Sequence, residues 1–137
     1  MDERYIILKD GNKNIPQLTG EVSYFRANGN FALVYLLNGT FSKQSNGLKE
    51  WENEQSVVSS GDFVRVHESY MLNWHNVKSF DRSIAVMDDK DKTPIPLTAE
   101  GFKKLKEKYS KQSSTAPFRL IPLFLPRSKD ERNDEEE

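Results

Sequence analysis

The sequence predicts a mostly β fold of packed antiparallel sheets and hairpins, with one short helix and a C-terminal helix. Three observations carry that expectation. Short runs of alternating apolar and polar residues recur between turn residues, an Asn-Gly pair separates two of them, and only two segments show helical spacing. At 137 residues, with 36% hydrophobic and 11% aromatic side chains, the chain is long enough for one cored domain and too short to favour two.

The strand candidates are residues 4–9, 21–26, 30–37, 62–67, 76–80, 83–88 and 93–97, all rich in Val, Ile, Phe and Tyr. Asn38-Gly39 lies between FALVYLL and TFSKQ and predicts a hairpin with a type I′ turn, which needs positive φ at both central residues. Asp81-Arg82 and residues 88–92 divide the later apolar stretches into a meander of VKSF, SIAVM and TPIPL. The first helix is expected to be capped by Ser45, with Leu48 and Trp51 on its buried side. The second starts after Thr98 with Glu100 in its first turn and Phe102, Leu105 and Tyr109 along one stripe. Gly101 is expected to weaken that helix by roughly 1 kcal/mol. Lys103, Lys104, Lys106, Lys108 and Lys111 fill its remaining face, either as a solvated surface that complements the helix dipole or as contacts to phosphate.

Four segments are expected: a leader over 1–17, a folded domain over 18–111, a Pro-rich apolar strap over 112–128 and an acidic disordered tail over 129–137. Pro117, Pro122 and Pro126 exclude a helix from the strap. The strap either covers a sheet edge, the favoured reading, or docks a partner or second copy. The last nine residues carry two basic and six acidic side chains, so the rest of the chain is at +3 although the total is -1. A mildly basic body permits a nucleic-acid partner without requiring one.

Several function classes lose support. The chain has no cysteine, which removes disulfides, thiolate nucleophiles and cysteine zinc sites. Its glycines form no phosphate-loop or dinucleotide pattern, and no nucleophile elbow is present. His67 and His75 are not at the spacing of a helical zinc pair, and Asp88, Asp89 and Asp91 lack the glycine and closing glutamate of a calcium loop. No enzyme, cofactor or metal is expected. The N-terminus has no signal-peptide pattern and no window is apolar enough to span a bilayer, so a cytoplasmic location is expected. For the same reason Asn38-Gly39-Thr40 is not read as a glycosylation acceptor.

The stretch GDFVRVHESYMLN, residues 61–73, resembles the signature of LytTR DNA-binding domains, in which an apolar-Arg-Val-His step runs into Ser, an aromatic, two apolar residues and Asn. The flanks are similar too: EVSYFRANGNFALVYLLNG matches the family's first hairpin, FSKQSNGLKEWENE its short helix, and TPIPLTAEGFKKLKEKY its closing strand and helix. The resemblance covers residues 18–109. It implies a β fold of LytTR type whose loops enter successive major grooves of double-stranded DNA, in a transcription regulator that stands alone without a receiver domain. The DNA-binding residues it implies are Arg26, Asn28, Asn30, Arg65, Glu68, Ser69, Lys78, Thr98, Glu100, Lys103 and Lys104. Asn30 matches a base-facing position, where an amide can pair with adenine N6 and N7. Glu68 stands where the family commonly has Arg, Lys or Asn, and Thr98-Ala99-Glu100 where it often has Ser and a cation. A carboxylate can only accept, for instance from cytosine N4. A second copy of the chain, met on DNA or through the segment from Pro117 to Pro126, is the other partner considered. The alternative function is a LytTR-like fold that has lost DNA binding and serves as a protein-interaction adaptor.

Overall fold

The computed structural model describes residues 4–114, with side chains through residue 110. Residues 112–114, expected to open the strap, continue the C-terminal helix, while the rest of the strap and the acidic tail lie outside the described residues. In chain order the elements are β1 (Tyr5–Asp10), β2 (Lys13–Leu18), β3 (Val22–Asn28), β4 (Phe31–Leu36), β5 (Phe41–Gln44), α1 (Leu48–Glu52) and α2 (Gln55–Ser60). They continue with β6 (Phe63–His67), β7 (Tyr70–Asn73), β8 (Val77–Phe80), β9 (Ile84–Met87), β10 (Pro94–Pro96) and α3 (Ala99–Ser114). The described strands form three antiparallel sheets, ordered β5-β4-β3-β7-β6, β10-β9-β8 and β1-β2. The fold is therefore mostly β, as the alternation predicts. Residues through Leu105 form one compact unit and Lys106 opens a second.

One face of the five-stranded sheet builds the main core. Phe25, Ala32, Val34 and Met71 point to it and meet Ile6 and Leu8 of β1, Leu48 and Trp51 of α1, and Val57 of α2. Phe25 is the centre, with ring centroids 5.3 Å from Trp51 and 5.2 Å from Phe63. A fully buried side chain of this size contributes roughly 1.5–3 kcal/mol. The opposite face of β6 and β7 buries Val64, Val66 and Leu72, while β9 and β10 bury Ala85, Met87 and Ile95.

Buried polar groups fix the connections. Asn73, fully buried, donates from Nδ2 to the Thr19 carbonyl at 2.9 Å and accepts from the His75 N–H at 2.9 Å. The Thr19 hydroxyl donates to Asp62 at 2.8 Å. Ser23 donates to the buried Asp89 carboxylate at 2.9 Å, and that carboxylate also accepts from the Thr93 N–H, tying the loop after β9 to β3.

The structure corrects five further expectations. The segment read as a leader is part of the fold from Tyr5 onward, because Ile6 and Leu8 on alternate positions of β1 close one side of the core. The hairpin at Asn38-Gly39 exists without a type I′ turn. Gly39 has φ +92° while Asn38 does not have positive φ, Gly39 N–H donates to the Leu36 carbonyl, and Leu36 N–H donates to the Thr40 carbonyl. This is a three-residue loop, in which Asn38 Oδ1 accepts from the Thr40 N–H and hydroxyl. Helix α1 is capped at Gly47 rather than Ser45, since Glu50 Oε1 accepts the Gly47 N–H at 2.8 Å. Helix α2 and strand β7 were not anticipated. QSVVSS has only Val57 and Val58 as apolar residues, and YMLN is a short run buried on both faces with no alternation to mark it.

The fifth correction concerns Gly101. Thr98 caps α3 as predicted, its hydroxyl accepting the Gly101 N–H at 2.9 Å. A Cβ on Gly101 would overlap the Val66 backbone, with the Val66 carbonyl carbon only 2.6 Å away. Glycine there is a packing requirement rather than a local defect. Gly101→Ala is thus expected to destabilise by about 2–4 kcal/mol, against the gain of roughly 1 kcal/mol that helix propensity alone would give. Thermal unfolding followed by circular dichroism checks the sign, and a raised melting temperature would refute the close packing.

Burial pushes the Tyr24 phenol up from 10.0 to about 12, partly offset by a hydrogen bond with Thr93. A raised value means that the fold favours the neutral phenol. The stability this contributes is present below pH 10 and is lost as pH rises towards 12. Tyr24→Phe should flatten the fall of melting temperature across that window, and an equally steep fall in the variant would place the effect elsewhere.

Candidate nucleic-acid interface

The end of the five-stranded sheet at which β3 stops and β4 begins gathers most of the predicted residues. Gly29-Asn30 joins those two strands, with Asn28 paired to Phe31. On one side, Arg26 pairs with Tyr70, so β7 starts beside the end of β3, and Ala27 N–H donates to the Ser69 carbonyl at 2.8 Å. On the other, Ala32 pairs with Gln44, which leads β5 out into Ser45-Asn46-Gly47. A Cβ on Gly47 would stand 3.4 Å from the Asn30 carbonyl oxygen, so these two turns are neighbours. The start of α3 joins the same end, because Thr98 N–H donates to the Val66 carbonyl at 3.1 Å and its hydroxyl does so at 3.3 Å.

A polar cleft of about 610 Å³ opens between these loops. Asn30, Arg65 and Glu68 line it together with Ser45, Lys49 and Glu50. Lys49, on the polar side of the first helix, is not among the DNA-binding residues expected from the sequence. It lies outside the signature stretch, and only the docking of α1 beside Asn30 turns it towards this cleft.

Arg65 is held by three hydrogen bonds. Nη1 donates to Glu52 at 2.6 Å, Nε to the His67 carbonyl at 2.9 Å and Nη2 to the Glu68 carbonyl at 2.6 Å. Those bonds span the irregular pairing between Arg65 and His67 and hold the β6–β7 turn. The His67 ring contributes from the other side, with Nδ1 accepting the Ser69 N–H at 3.0 Å. The guanidinium is therefore occupied in shaping the turn, while the Glu68 side chain, on the turn itself, is exposed.

Most of the other predicted residues are open to solvent. Arg26, Asn28, Asn30, Lys103 and Lys104 are exposed, and Ser69 is half-buried. Glu100 lies in the first turn of α3, where a carboxylate favours the helix N-terminus by electrostatics. Lys78 is exposed on β8, whose last residue, Phe80, has its ring 5.9 Å from that of Phe102 in the first turn of α3. Lys78 lies two residues beyond Asn76, whose amide donates to the carbonyls of Gly20 and Val22 at the beginning of β3.

The electrostatics are close to balance. This end carries Arg26, Lys49, Arg65, Lys103 and Lys104 as well as Glu50, Glu52, Glu68 and Glu100, with Glu50 committed to the Gly47 N–H and Glu52 to Arg65. The described residues contain no group of three or more His, Cys, Asp or Glu that could hold a metal, and no helix among them is long and apolar enough to cross a membrane.

The family model for the LytTr DNA-binding domain matches residues 12–110. The match begins in the β1–β2 hairpin, ahead of the expected start at 18. Among solved structures, the LytTr DNA-binding domain of a protein from Bacillus cereus is similar, with 19% identity, a TM-score of 0.55, and coverage of 77% of this chain and 98% of that one. At that identity the likeness shows the fold. No curated protein matches the chain.

If Arg65 holds the β6–β7 turn, Arg65→Lys should lower stability by about 1.5–3 kcal/mol, because an ammonium cannot serve one carboxylate and two carbonyls in this geometry. Amide exchange at Ser69 should accelerate more than exchange in β3. Unchanged protection at Ser69 would show that the turn keeps its shape without the guanidinium.

Proposed function

The chain belongs to the LytTR family of DNA-binding domains, and from that premise we propose that it is a sequence-specific transcription regulator that reads the major groove of duplex DNA with loops at one end of its five-stranded sheet. The observation that carries this reading is the convergence of the Gly29-Asn30 turn, the Ser45–Gly47 segment, the His67–Ser69 turn and the start of α3 on a single polar end. Exposed loops on a rigid sheet suit groove entry, since the scaffold fixes their spacing before DNA arrives.

In this reading Asn30 pairs with adenine N6 and N7, and Glu68 accepts from cytosine N4. Arg26, Asn28, Lys49, Ser69, Lys103 and Lys104 position the backbone. Arg65 acts through the turn it shapes, and Thr98 and Glu100 act by starting α3 beside it. The near balance of charge assigns specificity to polar base contacts rather than to a strong field.

Selection of bound sequences from a random duplex pool supplies the site, and fluorescence anisotropy then separates the roles. Asn30→Ala should weaken the selected site by about tenfold or more and leave random duplex nearly unchanged. Lys103→Ala and Lys104→Ala should weaken both alike. Glu68→Arg should weaken the selected site while strengthening random duplex. With about three or four phosphate-directed cations, the slope of log affinity against log salt should lie near -3. A pool that yields no enriched sequence, in a chain that is folded, would transfer support to the adaptor reading.

A further inference from the structure

The second face of the five-stranded sheet is unevenly covered. Strand register puts Tyr24 and Arg26 opposite Tyr35 and Leu33, and these opposite Phe41 and Lys43. Towards β7 the face is closed, with Tyr24 only 5% exposed, but towards the edge strand β5 it opens to Phe31 at 41% and Phe41 at 58%. Three rings form a ladder across the strands. Tyr24 and Tyr35 stack with centroids 4.5 Å apart and planes 11° from parallel, and Tyr35 and Phe41 stack at 5.2 Å and 25°. Because β5 ends the sheet, no further strand of that sheet stands beyond the Phe41 ring.

We propose that this open half-face binds single-stranded nucleic acid, with a base extending the ring ladder at Phe41 and phosphates held by Lys43 and Arg26. The chemistry favours that occupant over a protein. Both ionisable side chains among these positions that carry charge at neutral pH are cations, and Lys43 Nζ already lies 4.4 Å from the centre of the Phe31 ring. Aromatic rings interleaved with Lys and Arg on a sheet face form a stacking platform, because every base presents a π-face whatever its identity. Duplex DNA keeps those base faces inside its own stack and cannot use the platform. The distance from Phe31 to Tyr35 along β4 is roughly 13 Å, enough for more than one stacked base. The proposal shares Arg26 with the duplex reading and otherwise stands apart from it, since that reading rests on the loops.

The test is fluorescence anisotropy of the full chain with labelled oligothymidine, labelled oligouridine and a blunt duplex. The unaltered chain should bind the single strands, and Phe41→Ala should weaken them at least about fivefold. Phe41→Leu should lose as much, since leucine keeps apolar area without a π-face, whereas Phe41→Trp should hold or tighten binding. Lys43→Ala should reduce the salt dependence. Phe41 is exposed, so these variants should keep the parent melting temperature; if Phe41→Ala does not fold, Phe41→Trp and Lys43→Ala decide. Absence of single-strand binding, or equal binding by the parent and Phe41→Leu, overturns the proposal. So does a concentration-dependent dimer that Phe41→Ala dissolves while oligothymidine remains unbound, which would give the face to a second copy. Asn30→Ala should spare oligothymidine binding and the Phe41 variants should spare the selected duplex, so the two readings fail separately.

Discussion

The backbone at Val66 is the point on which the arrangement of the candidate interface depends. Its carbonyl accepts both the N–H and the hydroxyl of Thr98, and α3 approaches so closely that residue 101 has no room for a side chain. One short contact therefore sets three things: where α3 begins, how it meets β6, and how far its first turn stands from the His67–Ser69 turn. Glycine at 101 is unfavourable for the helix considered alone, and the close approach it permits is what that cost supports.

The same economy appears in the polar groups of the signature stretch. Asn73 is buried and joins β7 to Thr19, and Arg65 is bound to Glu52 and two carbonyls of its own turn. Both are polar residues of kinds that often touch ligands, yet each is consumed by the fold. What they leave projecting is the turn residue between them, Glu68. Buried polar networks of this kind rigidify a site when every member is satisfied, which suits the groove-reading role proposed for this turn.

The charge at this end is modest for a surface offered to a polyanion. Glu52 and Arg65 neutralise each other and Glu50 is held by the Gly47 N–H, so pairing leaves the charge of this end near balance. Association with DNA would then gain little from long-range attraction and would depend on complementarity at contact. The open aromatic half-face lies on the same sheet, beginning at Phe31 directly after the Gly29-Asn30 turn, so one rigid element would carry both the duplex-reading loops and the stacking platform.

The sequence by itself determined the fold class, the family, most strands and the capping of α3 by Thr98, because alternation, turn residues and caps are local and are written in neighbouring positions. Through the family resemblance it also pointed to Asn30 and Glu68 as DNA-facing positions. The rest was decided by packing. The first seventeen residues look like a tail until Ile6 and Leu8 are seen filling the core, and YMLN shows no alternation because both of its faces are buried. The place of Lys49 in the cleft cannot be read from spacing, since it depends on how α1 docks beside Asn30. The role of Arg65 could not be read either: whether a guanidinium is free for phosphate or spent on Glu52 is settled by a helix thirteen residues away in sequence, brought within 2.6 Å only by the tertiary structure.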